Sequence, residues 1–138
     1  MSTMSDFNTA IIEEFRAKHG KVGGQFEGAP LLLLHTRGAK SGEERISPMM
    51  YRKDGTRYLV FASKAGAPTN PAWYYNLLVN PEASIEVGDE TIEVTAVALE
   101  GEERTVKYAE QAAEYPGFAD YQRKTSRVIP VVALTPIA

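Results

Sequence analysis

Two short turns constrain this chain more than anything else in it. Asp54-Gly55 separates the runs 46–52 and 58–63, and Gly88-Asp89 separates 83–87 from 91–99. Both pairs tolerate positive φ at little cost and fold flanking alternating runs into antiparallel hairpins. Strands joined so tightly cannot be the parallel strands of a βαβ unit, which need a long crossover. The full predicted order is helix 5–19, strand 31–36, the hairpin 46–63, a helix opened by Pro71, the hairpin 83–99, a helix 100–114, a short helix within 115–125 and a strand 129–135. It lacks regular βαβ alternation, which argues against a doubly wound nucleotide-binding sheet. The expected fold class is α+β: a mostly antiparallel barrel with helices packed on it.

Local signals set the remaining expectations. Asp6 is read as the cap of the first helix, with Phe7, Ile11, Ile12 and Phe15 on one face and Gly20 as its stop. Four glycines and a proline make 20–30 a loop. The run 31–36 is apolar throughout and bounded by turn residues, as a buried strand is. In the helix 100–114, Val106, Ala109 and Ala113 are placed on the packing side. The 138 residues divide into an N-terminal helix and loop, 1–24, and a single barrel domain, 25–138.

Composition removes several function classes. With no cysteine there is no disulfide, thiolate nucleophile or cysteine metal site. His19 and His35 are the two histidines and lie far apart, so no metal site is expected. No secretion signal or membrane span is evident, and the expected location is cytoplasmic. Acidic residues in the first helix (Asp6, Glu13, Glu14) disfavour anionic lipid, although weak membrane association stays open. The net charge is −3 and unevenly spread. Between Arg37 and Lys64 there are seven cations and three acids; between Glu82 and Asp120, eleven acids and two cations. A basic island in an acidic chain points to a localised anion site and away from nucleic acid.

Three segments carry the candidate chemistry. RGAKSGEER (37–45) is a glycine turn with Lys40, Ser41 and Arg45 around it, suited to phosphate or carboxylate. It lacks the first glycine of a phosphate-binding loop and has strand on both sides, so that motif is excluded. Taken alone, it reads as an ordinary charged hairpin tip. FASKAGAPTNPAWYYNLL (61–78) adds Ser63-Lys64, a second basic loop, then a helix carrying Trp73 and Asn76 on a shared face. Trp73 is by default a core residue that also has the shape to wall a planar ring. Tyr115, Phe118 and Tyr121 form an aromatic set that either packs on the barrel or covers a flat apolar substrate. Gln122, Lys124, Thr125 and Arg127, beside this aromatic set, are expected to be mostly solvated. No hydrolytic constellation appears, so an enzyme built this way relies on a cofactor.

In combination, LLLLHTRGAKSGEERISPMMY, ASKAGAPTNPAWYYNLLVNPE and YPGFADYQ with R.IPVV resemble the deazaflavin-dependent nitroreductase family, across roughly residues 25 to 136. These are actinobacterial-type split β-barrel oxidoreductases that use reduced coenzyme F420. The resemblance implies hydride transfer from F420 to a planar electrophile such as a quinone, enone or nitroaromatic, quinones first. It implies that Lys40, Arg45 and Lys64, with Arg37, bind the phosphate and oligoglutamate tail, and that Ser41 and Gly42 shape the turn. Pro48, Met49, Met50, Ala62 and Ser63 would border the ring, completed by Trp73 and Asn76. Tyr115, Phe118 and Tyr121 would contact substrate, with Tyr115, Tyr121 and Ser63 nearest the transfer. Two departures stand out. Ala39 occupies a position that is often basic, for which Arg37 is a substitute. Phe118 replaces a tyrosine of the nitroimidazole-activating prototype, which implies weak nitroimidazole activation. An FMN enzyme of the pyridoxamine-phosphate-oxidase type, an F420-binding protein with little turnover, and a small anion-binding domain remain as alternatives. A homodimer is compatible with the barrel type.

Overall fold

Both hairpin turns form where their composition puts them: Gly55 and Gly88 have φ of +63° and +58°. The computed structural model describes residues 4–23 and 28–137, so positions 24–27 of the expected loop lie outside the described residues. Six strands appear: β1 Leu31–Arg37, β2 Glu44–Asp54, β3 Arg57–Phe61, β4 Glu82–Val87, β5 Glu90–Ala98 and β6 Val131–Pro136. They close into an antiparallel barrel in the order β1-β2-β3-β6-β5-β4, with β4 pairing back onto β1. Around it lie α1 Met4–Ala17, α2 Ala72–Val79, α3 Gly101–Glu114 and α4 Gly117–Lys124.

The uninterrupted leucines of β1 follow from this closure, because both faces of the strand are covered. Leu32 and Leu34 meet Val60, Ile85, Val94, Val132 and Leu134 in the barrel interior, with Leu77 of α2 among them. Leu31 and Leu33 project the other way, against Phe15 and Val22 under α1. Leu59, Phe61, Val131 and Ala133 form a second outer face, covered by Tyr108 of α3 and Phe118 of α4. Truncating a leucine in these clusters to alanine is worth about 2–5 kcal/mol.

Four expectations need correction. The first helix begins at Met4, so Asp6 lies inside it and not at its cap. β2 starts at Glu44, two residues before the alternation becomes clear. β3 ends at Phe61, because Ser63 is helical (φ −75°, ψ −40°) and Lys64 is left-handed (φ +46°), turning the chain into a 3₁₀ turn, Lys64–Gly66. Finally, α3 packs by the face opposite to the one expected. Val106, Ala109 and Ala113 are exposed, while Tyr108 and Gln111 are buried with Arg104 beside them. That polar-looking face is tolerable because two of its members find backbone acceptors. The Arg104 guanidinium donates to the Ile129 carbonyl at 2.8 and 2.9 Å, and the Tyr108 hydroxyl to the Phe118 carbonyl at 2.5 Å. Burial pushes the Tyr108 phenol up to about 12.

Candidate functional site

The turn between β1 and β2 is built by its glycines. Gly42, at φ +73°, donates its N–H to the Gly38 carbonyl at 2.9 Å, and Gly38 donates to the Glu43 carbonyl at 2.8 Å. A Cβ on Gly38 would lie 2.7 Å from Ser41 Oγ, which itself accepts the Glu43 N–H at 3.2 Å. From α2, Asn76 fastens the turn to the barrel: its Nδ2 donates to Thr36 Oγ1 at 3.2 Å, and its Oδ1 accepts the Ala39 N–H at 2.9 Å. Asn76 is 7% exposed and both ends of its amide are engaged. It is therefore a positioning residue that sets where Lys40 and Ser41 stand. Ala39 contributes its backbone to this lock.

Beside the turn opens a cleft of about 620 Å³, bounded by Lys40, Ser41, Arg45, Trp73 and Asn76, with Asn8 of α1. Trp73 packs on the interior cluster and also lines the cleft. The basic island is smaller in the fold than along the chain, since the acidic α3 neutralises part of it. Arg52 pairs with Glu114 at 2.6 Å, and Arg57 with Glu103 and Asp54 at 2.8 Å each. Lys53 lies over the Tyr58 ring. Among the described residues Lys40 has no salt bridge, and Arg45 has only a loose one, 3.5 Å to the exposed Glu43. The two cations of the cleft are those left for an anion.

The second basic loop is held by Arg127, which is not the solvated side chain expected from its local sequence. Arg127 donates to the carbonyls of Ala62 (3.1 Å), Ser63 (2.8 Å) and Ala67 (2.9 Å) and to Asn70 Oδ1 (2.6 Å). One guanidinium fork thus fixes the whole 62–70 path. Gly66, at φ +81°, brings this loop so close to α4 that a Cβ there would lie 2.9 Å from both the Tyr121 carbonyl and Lys124 Cβ. The juxtaposition of Ser63-Lys64 with Tyr121 is therefore built in. Lys64 Nζ donates to Thr69 Oγ1 at 3.3 Å and does not line the cleft. The only sequence signal for Arg127 was its place in R.IPVV; its acceptors lie about 60 positions away.

Several proposed site residues are placed differently. Arg37 lines a separate depression with Glu82 and Glu93, so it is no substitute for a basic residue at 39. Met49 packs on the interior cluster, leaving its backbone alone to border a ligand. Met50, pairing with Leu31 across the β1–β2 ladder, faces outward and touches both outer clusters. Pro48, two residues earlier, shares that outer face. Ala62 is fully buried beneath Ser63. Phe118 is 8% exposed and packs edge-on against Phe61, Tyr108 and Tyr121, with ring centroids 5.6, 6.3 and 5.4 Å apart. That makes it a core side chain and removes it from the lid; Tyr115 and Tyr121 are half-buried and pack against the same outer cluster. His35 is held between two carboxylates, Glu86 at 2.6 Å and Glu44 at 3.3 Å.

A closed antiparallel barrel with packed helices and a cation-lined cleft beside its β1–β2 turn has the split-barrel architecture. The model of the F420H(2)-dependent quinone reductase family matches residues 9–136. An F420H(2)-dependent quinone reductase of Mycobacterium tuberculosis strain H37Rv is 40% identical over 125 residues, spanning 88% of this chain and 84% of the relative. A solved F420-H2 dependent reductase, FDR-A, superposes with a TM-score of 0.70 at 42% identity, covering 76% of this chain and 93% of that one. Another solved chain, described as a domain-swapped dimer, gives 0.72 at 36% identity, covering 96% and 99%. The chain belongs to the F420H(2)-dependent quinone reductase family. It is an oxidoreductase whose cofactor is reduced F420, and the cleft's residues fit that molecule: Lys40 and Arg45 would meet a polyanionic tail, and Trp73 would wall a planar ring.

Proposed function

We propose that this protein delivers a hydride from reduced F420 to a quinone bound against the Tyr115–Tyr121 segment. Lys40 and Arg45 hold the phosphate and oligoglutamate tail, Asn76 holds the turn that carries them, and Arg127 holds Ser63 and Lys64 against α4. When bound, reduced F420 supplies a two-electron hydride donor, because carbon stands where a flavin has N5. The hydride and one proton convert a quinone to its hydroquinone. The proton comes from solvent or from Tyr115 or Tyr121. The chain's contribution is to position two flat molecules and keep water from between them. Pro48 and Met50 on the outer face of β2 border the ring, and enones and nitroaromatics are secondary acceptors of the same shape.

The observation that carries this reading is the cleft in which Lys40 stands without an acidic partner on a turn locked by Asn76. Fluorescence titration of the protein with oxidised F420 and, separately, with FMN tests it. Tight F420 binding and weak FMN binding are expected, since FMN has no polyanionic tail. FMN binding without F420 binding refutes it. Exposed Leu78 and Val79 on α2 and Val97 on β5, with the related domain-swapped dimer, support a homodimer. Among the described residues no helix is long and apolar enough to cross a membrane.

A further inference from the structure

Three polar side chains are buried in the described part of the chain: Thr36, Asn76 and Gln111. Thr36 and Asn76 bond to each other. Gln111 does not follow suit. It is 0% exposed, and neither its Nε2 nor its Oε1 has a hydrogen-bond partner. A buried amide left this way is costly, and a leucine of similar size would pack there without that cost. The residue borders an open depression of about 330 Å³ between β2 and the end of α3, which Tyr51, Arg52, Glu114 and Tyr115 also line, and its amide lies sealed behind that lining. That volume suits a small ring system. The cavity adjoins the proposed acceptor site through Tyr115, which packs in the same outer cluster as Met50.

We propose that Gln111 is a binding residue for the electron acceptor, its Nε2 donating to a quinone carbonyl oxygen that enters this cavity. This assignment rests on the quinone-reductase reading above. An amide offers what a carbonyl needs, a neutral donor that titrates nowhere near working pH. Tyr115, at the rim, supplies the hydroxyl for orientation. Because the amide is sealed from water, entry requires a rotamer change of Tyr115 or of the Arg52–Glu114 pair, which is joined at 2.6 Å. A site that hydrogen-bonds its substrate also discriminates against rings lacking the acceptor atom.

The test is Gln111→Leu, with 1,4-naphthoquinone as the probe and three readouts. Loss of one neutral hydrogen bond predicts a roughly 3- to 10-fold rise in KM for naphthoquinone, with kcat changed less. Titration of naphthoquinone into the cofactor-free protein should show the same fold weakening. The melting temperature of the cofactor-free variant should stay level or rise, because an unpaired amide has been removed. An amide serving only the fold, through an internal water, predicts the reverse: a lowered melting temperature and an unchanged KM and quinone affinity. That result overturns the proposal. F420 affinity of the variant is expected to equal that of the unsubstituted protein. Absence of F420 binding in the unsubstituted protein would refute the quinone-reductase reading, whereas the naphthoquinone titration still decides for or against Gln111.

Discussion

Replacing Arg127 with alanine should loosen the loop that connects the barrel to α2, and the size of the effect can be worked from its four acceptors. Hydrogen bonds from a charged donor are worth roughly 1.5–3 kcal/mol each, but those to partly exposed carbonyls are recovered largely by water. Ala62 is fully buried, so its carbonyl is the acceptor that water cannot easily reach. A net loss of about 2–4 kcal/mol follows, of which the unpaired Ala62 carbonyl alone accounts for about 1–3 kcal/mol. For a chain of this length each kcal/mol lowers the melting temperature by about 3 °C, so the expected drop is about 6–12 °C. Hydrogen exchange should accelerate most at residues 62–70, and F420 affinity should fall with it. Arg127→Lys separates charge from geometry, since an ammonium cannot address four acceptors spread across one planar fork. The lysine variant is expected to recover less than half of the loss. A lysine variant that melts within about 1 °C of the unsubstituted protein, with normal exchange at 62–70, refutes the fork argument.

Other consequences are as direct. Lys40→Ala with Arg45→Ala should weaken F420 binding at least 10-fold, the equivalent of about 1.4 kcal/mol, and leave the melting temperature within about 2 °C, because neither cation has a strong internal partner. An unchanged F420 titration would make the turn an ordinary charged tip. Asn76→Ala should cost about 1–3 kcal/mol and weaken F420 binding too, through displacement of Ala39 and Lys40, read by melting and titration together. Glu86 is held below its ordinary value of 4.5, first by the hydrogen bond from Arg16 and further by His35. Its contribution is therefore present above pH 4.5 and lost as pH falls below it. Glu86→Gln should be less stable by roughly 1 kcal/mol at pH 7, with the gap closing toward pH 3; a gap independent of pH would contradict the assignment.

What could be read along the chain was what local chemistry decides. Asp54-Gly55 and Gly88-Asp89 fix two hairpins by themselves, and the leucines of β1 announce a strand covered on both sides. The glycine turn at 38–42 is legible for the same reason: its shape is set within a few residues. Long-range partners decided the rest. Nothing near Arg127 reveals that its acceptors lie at 62–70, so it looked solvated. Counting apolar residues in α3 favours Val106 and Ala113, whereas the fold buries Tyr108 and Gln111 with Arg104 partly buried beside them, and Arg104 and Tyr108 are supplied with carbonyls from Ile129 and Phe118. Phe118 looked like a lid residue because periodicity cannot tell which side of a two-turn helix faces the barrel. The basic island looked larger than it is because Glu103 and Glu114, far along the chain, neutralise Arg57 and Arg52.

The central claim is a hydride passed from reduced F420 to a quinone within this one chain. Anaerobic mixing of the protein with reduced F420 and 1,4-naphthoquinone, followed by the returning fluorescence of the oxidised deazaflavin, measures it. Turnover that saturates in both reactants, vanishes without protein and drops sharply in the Lys40→Ala, Arg45→Ala variant is the predicted result. F420 that binds yet stays reduced in the presence of naphthoquinone would contradict it and leave a cofactor-binding protein.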